Sequence, residues 1–387
     1  MKMRNILLLF AAVACFSAQA SIANADSTLW YDLDAAGNAT IVLGEDFYSG
    51  DVTIPDNLDG HPVTAIGFAA FNGCHSLKSV KLPASLLSIG DYAFNACDSL
   101  AAIEIPEKVT YVGAFAFHGC EKITAVALPE TVTTIGDEAF FGCTALKTAT
   151  IGKNVVNYGQ RVFQRCTQLK TITVDDENAV LDDQSGLLFS KDGTRLIDFA
   201  RKNTSYRIYT VPQNVKEIDA FAFYGCDAMK TLTLQEGLET IGAWAFTNCS
   251  IMPSLTLPTT VKSIGTNAFY GMTGCKKFTC QTVEPLALDS LLNPFGMFTD
   301  LSAKTLYVPT PQAVELYKAA PVWKDFGDIK FYKGDVNADD AVNVSDVSAL
   351  INKILGTEDW TDTVCDIDGN GIVNVTDVSI LISYLLY

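Results

Sequence analysis

Hydrophobic positions recur every 23 residues through most of the chain. A cysteine marks the period, at Cys74, Cys97, Cys120, Cys143 and Cys166 and again at Cys226 and Cys249. A phenylalanine stands three residues before that position eight times, at Phe71, Phe94, Phe117, Phe140, Phe163, Phe223, Phe246 and Phe269. A fixed period of this length is the signature of a repeat array. The pattern therefore predicts stacked structural repeats over the middle of the chain.

Each repeat predicts one short strand and one turn. The copy at residues 66–83 reads Ile-Gly-x-x-Ala-Phe-x-Gly-Cys-x-x-Leu-x-x-Val-x-Leu-Pro. Residues 77–82 have the apolar spacing of a strand, and Pro83 ends it because proline has no N–H to donate to a sheet. In the next copy, residues 91–96 suit a helical turn that buries an alanine and a phenylalanine. Such a unit cannot cover its own apolar edge, so neighbouring units must stack into a solenoid, with equivalent residues about 4.8 Å apart.

The array has an interruption and two ends. Cys166 and Cys226 are 60 residues apart, which indicates an insertion at about residues 175–213. Residues 51–55 with Val63 are interpreted as the opening cap. Leu306-Tyr307-Val308-Pro309, with Tyr317, Trp323 and Phe326, is interpreted as the closing cap.

A second repeat occupies the C-terminal tail. Its sequence motif has oxygen-bearing side chains at loop positions 1, 3, 5, 9 and 12, and the motif recurs after 31 residues. An amphipathic run follows each copy. Oxygen side chains at these positions, with a backbone carbonyl at position 7, are the hard ligands that calcium needs. We therefore predict two calcium ions, one held by Asp335, Asn337, Asp339, Ala341, Asn343 and Asp346, the other by Asp366, Asp368, Asn370, Ile372, Asn374 and Asp377.

The loops depart from an EF-hand in two respects. Position 12 is Asp rather than Glu, and no helix is expected before either loop. Gly371 fills the tight-turn position of the second loop, where the first has Asp340. From residue 334 to 387 there are ten acidic residues and one lysine, a net charge of −9. We expect this tail to fold only with bound cations.

Composition narrows the classes of function that the chain could have. Of 387 residues, 49% are hydrophobic and 18% charged, which excludes a disordered chain. A net charge of −17 argues against nucleic acid and anionic membranes as partners. Three histidines and no recognisable nucleophile, phosphate-loop or metalloprotease motif favour a protein without catalysis. A pair of carboxylates for glycoside hydrolysis needs only two residues, so a carbohydrate-active enzyme stays open as an alternative.

The N-terminus is predicted to be an export signal. Lys2 and Arg4 precede an apolar run at residues 6–15, and small residues follow at 18–20 and 23–25. These are the parts of a signal peptide, and the run is too short to span a membrane. Cleavage near Ala25 is the preferred interpretation, and lipid attachment at Cys15 is the alternative. We expect a secreted or cell-surface bacterial protein without a transmembrane segment.

The repeat cysteines have two interpretations. An exported chain with ten cysteines after signal removal could carry a disulfide framework. Seven of them, however, share one inward-facing position where a small apolar side chain fits. Buried free thiols are therefore preferred, while their redox state stays open.

Two outward rows are candidates for ligand binding on the solenoid. The preferred row lies along the strands, because concave solenoid surfaces commonly bind ligands. It comprises Lys147, Lys170, Lys230, Thr150, Thr173 and Thr233, and lysines here would suit an anionic ligand such as an acidic glycan. The alternative row contains turn aromatics such as Tyr92, Phe115, Phe221 and Trp244, which could instead pack against neighbouring turns.

The Ile-Gly-x-x-Ala-Phe-x-x-Cys-x-x-Leu phrase resembles the leucine-rich repeats of the BspA type. That resemblance covers about residues 27–330 and implies a right-handed solenoid that binds proteins, matrix or glycans without catalysis. The tail resembles a type I dockerin over residues 334–387, which implies docking onto a cohesin domain of a scaffold or surface protein. Loop positions 10 and 11 contact cohesin in that family, and here they are Val344, Ser345, Val375 and Thr376.

The expected architecture is thus a signal peptide at 1–25, a leucine-rich repeat solenoid at 26–332 with strand and short helical turn per unit, and a small helical calcium-binding module at 334–387. The expected function is that of an exported, non-catalytic adaptor that binds a host protein, matrix or glycan. A dockerin-borne enzyme of polysaccharide breakdown and a plain surface spacer are the alternatives.

Overall fold

A computed structural model describes residues 21–24, 28–44, 47–200, 206–296, 299–339, 342–360, 362–368 and 370–386. The chain forms two compact units, residues 1–167 and 168–387. Cys15 and Ala25, the predicted lipidation and cleavage positions, lie outside the described residues.

The first unit is built from short strands. They are β1 (Ile22–Ala23), β2 (Trp30–Leu33), β3 (Ala39–Val42), β4 (Gly50–Thr53), β5 (Asn57–Leu58), β6 (His61–Ile66), β7 (Leu77–Lys81), β8 (Ser88–Ile89), β9 (Tyr111–Val112), β10 (Ala125–Ala127), β11 (Thr134–Ile135), β12 (Thr148–Ile151) and β13 (Asn157–Tyr158). Strands β1, β2 and β3 pair antiparallel, and β3, β6, β8, β9, β11 and β13 then follow in parallel. Two other parallel pairs, β4 with β7 and β10 with β12, form separate short sheets.

Equivalent residues of successive turns lie in register, as the period predicts. Thr134 pairs with Asn157 and Ile135 with Tyr158, each 23 residues on. Each repeat also contains a second strand of two residues, at the Ile of the Ile-Gly pair, which the sequence pattern did not predict. Two strands per turn give the repeat two sheets around one core, so the fold is a β-solenoid.

Stacked phenylalanines fill the core of the first unit. The rings of Phe71, Phe94, Phe117, Phe140 and Phe163 lie 4.9, 5.2, 5.1 and 5.6 Å from one to the next, with interplanar angles of 10°, 5°, 7° and 21°. The first four are fully buried. We call this row the phenylalanine ladder.

The cysteines lie beside the ladder as buried free thiols. The Cys97 thiol donates to the Phe71 carbonyl at 3.1 Å, and Cys120 does the same to Phe94 at 3.1 Å. Each thiol therefore donates to a buried carbonyl of the preceding turn that already accepts from a backbone N–H, so the thiol hydrogen also has a partner inside the core. The inward position predicted for the repeat cysteines is confirmed.

The turn between the strands has two residues in the left-handed region. Tyr92 has φ +58° and Ala96 has φ +57°, and the same two positions recur in later copies, for example at Phe115 with φ +57° and Gly119 with φ +72°. The turn expected at residues 91–96 is present and buries its alanine and phenylalanine completely. Its backbone consists of successive three-residue turns, since left-handed residues interrupt any continuous helix.

The second unit is itself built as the same kind of stack. Its strands are β14 (Thr171–Val174), β15 (Leu181–Gln184), β16 (Leu187–Ser190), β17 (Arg195–Asp198), β18 (Ile208–Thr210), β19 (Glu217–Ile218), β20 (Thr231–Thr233), β21 (Thr240–Ile241), β22 (Ser254–Leu257), β23 (Ser263–Ile264), β24 (Lys277–Cys280), β25 (Thr305–Val308) and β26 (Asp328–Phe331). The insertion predicted at 175–213 contains the antiparallel meander β15–β16–β17, and β17 then pairs in parallel with β19.

One face of the second unit is formed by β18 and β20, and by the parallel sheet β22–β24–β25–β26. The other face carries β19, β21 and β23. Tyr317 and Trp323, in helix α1 (Pro311–Ala319) and the 3-10 turn Trp323–Asp325, are fully buried at the end of the stack, as a closing cap requires.

The tail after β26 is helical. Its helices are α2 (Val344–Ile354), α3 (Asp362–Cys365) and α4 (Val375–Leu386). The expectation of no helix before either loop is wrong for the second loop, because the one-turn helix α3 ends directly before Asp366. Val336, Ala349, Leu350, Cys365, Ile367 and Leu381 form a small buried core between them. Within the described part of the chain, every helix is too short or too polar to cross a bilayer.

The phenylalanine ladder yields a stability prediction. Phe117→Ala removes a ring stacked on both neighbours, so we expect the free energy of unfolding to fall by about 3–5 kcal/mol. Phe68→Ala is the matched control, because that ring is 58% exposed and should cost less than about 1 kcal/mol. Urea unfolding followed by circular dichroism measures both, and equal shifts for the two variants would contradict a ladder-dependent core.

Candidate metal and docking sites

The first acidic loop of the tail closes around the carboxylate of Asp346. This side chain is fully buried at the start of α2. It accepts hydrogen bonds from the backbone N–H of Asn337 at 3.1 Å and of Asn343 at 2.9 Å. Asn343 in turn caps α2 by accepting from the Ser345 N–H at 2.8 Å. This capping box fixes the last loop acid at the helix N-terminus, where its negative charge is favourable.

The second loop repeats the arrangement. Asp377 is fully buried and accepts from the N–H of Ile367 and of Asn374, both at 2.8 Å. Asn374 accepts from the Thr376 N–H at 2.8 Å. The two loops therefore share one geometry as well as one sequence phrase.

Each loop brings three carboxylates together. Oxygen atoms of Asp335, Asp339 and Asp346 all lie within 4.8 Å of one another, as do those of Asp366, Asp368 and Asp377. Three negative charges at this separation repel one another unless a cation lies among them. An all-oxygen, carboxylate-rich donor set suits a hard divalent ion such as calcium. The residues present fit the ion that the sequence predicts.

The remaining predicted ligands lie around these clusters. The Asn337 amide donates to Asp339 at 3.0 Å, and the Asn370 amide to Asp368 at 2.7 Å. The Ile372 carbonyl, predicted at position 7, accepts from the Asn374 amide at 3.0 Å. Ala341, its counterpart in the first loop, lies outside the described residues.

Helices α2 and α4 present matching apolar surfaces. Val344 and Val375, the first residues of the two helices, are 73% and 70% exposed. Leu355 and Leu386, at the far ends, are 69% and 71% exposed. Exposed aliphatic side chains at equivalent positions of two helices indicate two copies of one contact surface. Val344 and Val375 belong to the predicted cohesin positions, and the structure places them at the loop–helix junctions.

The six predicted ligand residues of the solenoid are all exposed, the threonines within strands and the lysines directly before them. Lys147 and Thr150 lie in the first unit, where Thr150 pairs with Ala127. Lys170, Thr173, Lys230 and Thr233 lie in the second unit. There Thr233 pairs with Thr210.

The turn aromatics mainly pack against one another. Tyr92 and Phe115 stack at 4.6 Å with an angle of 7°, and Phe221 and Trp244 at 6.1 Å with an angle of 3°. Because their faces cover each other, these rings do not offer the flat surface that stacking on a sugar requires. The interpretation in which they pack between neighbouring turns is confirmed.

One contact region was not predicted from the sequence. The Phe331 ring of β26 meets the Tyr384 ring of α4 edge to face at 5.9 Å. The Lys333 ammonium donates to the Asp366 carbonyl at 3.0 Å. Nothing in either repeat phrase encodes these contacts, because Phe331 and Lys333 precede the first loop and have no counterpart before the second.

Two family matches cover most of the chain. The BspA type leucine rich repeat region matches residues 64–186 and 195–289 in 6 copies, more than half of the chain. The dockerin type I domain matches residues 333–386. No curated protein matches the chain.

Solved structures with a similar fold include two proteins described as leucine-rich. The pneumococcal vaccine antigen PcpA has a TM-score of 0.57 at 20% identity, over 81% of this chain and 98% of its own. A leucine-rich repeat protein from Bacteroides ovatus has a TM-score of 0.54 at 23% identity, over 82% of this chain and 76% of its own. A leucine rich cell surface protein from Faecalibacterium prausnitzii has a TM-score of 0.51 at 20% identity, over 81% and 95%. Identities this low show the fold alone, and they confirm the repeat solenoid.

Proposed function

Because the chain belongs to the BspA-type leucine-rich repeat family and carries a type I dockerin domain, we propose that it is an exported adaptor. Its dockerin attaches to a cohesin on a scaffold or cell surface, and its solenoid recognises a host protein, matrix or glycan. The duplicated loop–helix geometry of the tail carries this proposal. Neither matched family is catalytic, which supports a binding role over the carbohydrate-active enzyme considered from the sequence.

Dockerin type I domains bind calcium, and in this chain we propose one ion in each loop. The ligands are the carboxylates of Asp335, Asp339 and Asp346 in the first loop, with equivalent groups in the second. The tail core is small, and residues 334–387 include ten acidic residues. Its apolar burial is therefore opposed by charge repulsion that only bound cations relieve. Calcium binding and folding of the tail are expected to be one event.

Cys365 offers a direct test of calcium-coupled folding. It lies fully buried in the tail core, and the other described cysteines lie in the solenoid. Desolvation raises the pKa of its thiol, so burial both shields the sulfur from reagents and disfavours the reactive thiolate. With calcium, we expect a thiol reagent to modify none of the ten buried cysteines of the exported protein. After chelation, we expect one thiol to react.

Cys365→Ala is the control for this experiment and should abolish the calcium-sensitive reaction. A protein in which chelation exposes no thiol would contradict calcium-coupled folding. Exposure of several thiols would show that the solenoid also depends on the ion.

The paired helix surfaces suit a partner that binds in two orientations. Val344 and Val375 have nearly equal exposure and begin helices with the same cap geometry. A cohesin that docks on one junction meets the same shape on the other after a half turn. Ser345 differs from Val344 in having a structural contact, since its hydroxyl accepts from the Asn337 amide at 2.9 Å. Val344 and Val375 are therefore the cleaner positions to change.

We expect Val344→Glu and Val375→Glu each to weaken cohesin binding about twofold, because one of two equivalent orientations is lost. The double variant should bind at least about 100-fold more weakly, since a buried charge then opposes each of the two orientations. Surface plasmon resonance on an immobilised type I cohesin panel measures this. Ile251→Glu, at a half-exposed position of the solenoid, is the matched control.

Calcium protection of Cys365 verifies that each variant has a folded tail. Loss of binding from one substitution alone would indicate a single-orientation interface. Failure of every cohesin to bind the unmodified protein would overturn the docking proposal.

Export is part of this proposal, and the first strand bears on where the signal is cut. Ile22 and Ala23 pair with Tyr31 and Trp30, and the Asn24 amide oxygen accepts from the N–H of Leu29 at 2.8 Å. Cleavage near Ala25 would remove this strand, whereas cleavage after Ala20 would keep it.

We expect the mature protein to begin at Ser21 if β1 is part of the exported fold. N-terminal sequencing of the secreted protein distinguishes the two sites. A start at Asp26 would show that β1 is absent from the mature protein, and a blocked, lipid-modified start at Cys15 would support the lipoprotein alternative.

A further inference from the structure

One face of the second unit combines basic and hydroxyl side chains. It is formed by β18, β20, β22, β24, β25 and β26 together with the residue before each strand. We call it the basic strand face. Its exposed or half-exposed positions include Arg207, Lys230, Lys276, Lys277 and Lys330 and the hydroxyl residues Thr210, Thr233, Thr256, Thr279 and Tyr307.

The charge of this face is opposite in sign to the net charge of the whole chain. The protein carries a net charge of −17. On the basic strand face, however, Asp328 is the one acidic residue at these positions, and it pairs with Lys330 at 3.2 Å. Among the described residues, no carboxylate lies within ion-pair distance of Arg207, Lys230 or Lys276. Their charges are therefore not held in direct ion pairs, although Asp300 lies close enough to Lys276 for Lys276 to help lower the pKa of its carboxyl.

Hydroxyl groups form a row beside the cations. Thr210 pairs with Thr233, and Thr256 pairs with Thr279, which pairs with Tyr307. Parallel pairing sets these groups about 4.8 Å apart along the stack. Each hydroxyl can donate and accept a hydrogen bond, as the hydroxyl groups of a sugar chain require.

We infer that the basic strand face binds an acidic polysaccharide lying along the stack. This inference rests on the proposal that the solenoid is the recognition part of the adaptor. A polymer with a carboxylate or sulfate group on regularly spaced sugar rings would place its anions against Arg207, Lys230 and Lys276. Its neutral hydroxyl groups would meet the threonine row.

Other partner classes fit this face less well. Protein interfaces usually contain buried aromatic or aliphatic anchors, and Ile208 is the one strongly exposed large apolar residue on the face. Single-stranded nucleic acid needs aromatic rings free for base stacking. Here the Tyr307 ring is already covered by the Lys277 ammonium, which lies 5.3 Å from its centre.

The strand positions of the first unit mix charges. Lys78 and Lys147 occupy equivalent positions, and the two repeats between them have Ala101 and Thr124 there. Glu104 adds a negative charge, and Asp51 accepts from the Ser79 hydroxyl at 2.6 Å. Of the residues predicted from the sequence, Lys230 and Thr233 lie on the basic strand face itself, whereas Lys147 and Thr150 lie in the other unit.

A charge-reversal pair of variants tests the inference. The test variant is R207E/K230E/K276E. The control is K216E/K318E/K324E, which makes the same change in net charge at exposed lysines of the second unit outside the face. Binding to immobilised polygalacturonate and to heparin is compared with binding to neutral dextran, at 50 and 300 mM salt, with the calcium-loaded full-length protein.

We expect the unmodified protein and the control to bind an acidic polysaccharide and not dextran, and binding to weaken at high salt. The test variant should lose at least about 30-fold in affinity with an unchanged melting temperature. Equal losses in both variants would show non-specific charge attraction and overturn the inference. Absence of acidic-polysaccharide binding by the unmodified protein, or equal binding to dextran, would also overturn it. Cohesin binding by the same proteins separates this result from a failure of the adaptor proposal.

Discussion

Close backbone contact between successive turns is the constraint on which the solenoid depends. The glycine of the Ile-Gly pair sits directly against the turn before it, and a side chain at Gly136 would place its Cβ 2.3 Å from the Ala114 nitrogen. Gly242 has the same relation to Ala220, also at 2.3 Å. This contact sets the distance at which the phenylalanine rings stack and the cysteine thiols reach the preceding carbonyls. The recurrence of the pair at a period of 23 residues therefore reflects geometry as much as hydrophobicity.

Much of the fold could be predicted from the sequence, because in a stacked array each core position recurs once in every repeat. Phe117 and Cys120 are recognisable as core residues since the same types recur in phase, and the structure buries both completely. Features without a period could not be predicted in this way. The antiparallel β1–β2–β3 start and the β15–β17 meander each occur once. The left-handed backbone at Phe115 was also missed, because aromatic residues seldom adopt φ near +57° and give no local signal for it.

The fold of the tail was predictable because its loop motif also occurs twice. The environment of its loop carboxylates was predictable only in part. The ligand phrase identified Asp346 and Asp377 as the last loop acids. It did not indicate that both are fully buried and that each accepts hydrogen bonds from backbone N–H groups at both ends of its loop. These acids therefore join the cation site to the helix N-termini on which the exposed valines lie.

Periodicity also explains why the ligand surface is harder to predict than the core. Inward positions repeat because one packing geometry selects one residue type, whereas outward positions face solvent and are free to vary. The position of Lys230 is occupied by Arg207 in the preceding turn and by Pro253 in the following one. A row of charge on a solenoid is therefore a property of particular turns rather than of the repeat. Only the structure shows which turns are neighbours. The meander separates Lys170 from Arg207 in sequence. The cap residues Tyr307 and Lys330 lie on the face although they do not belong to the repeat motif.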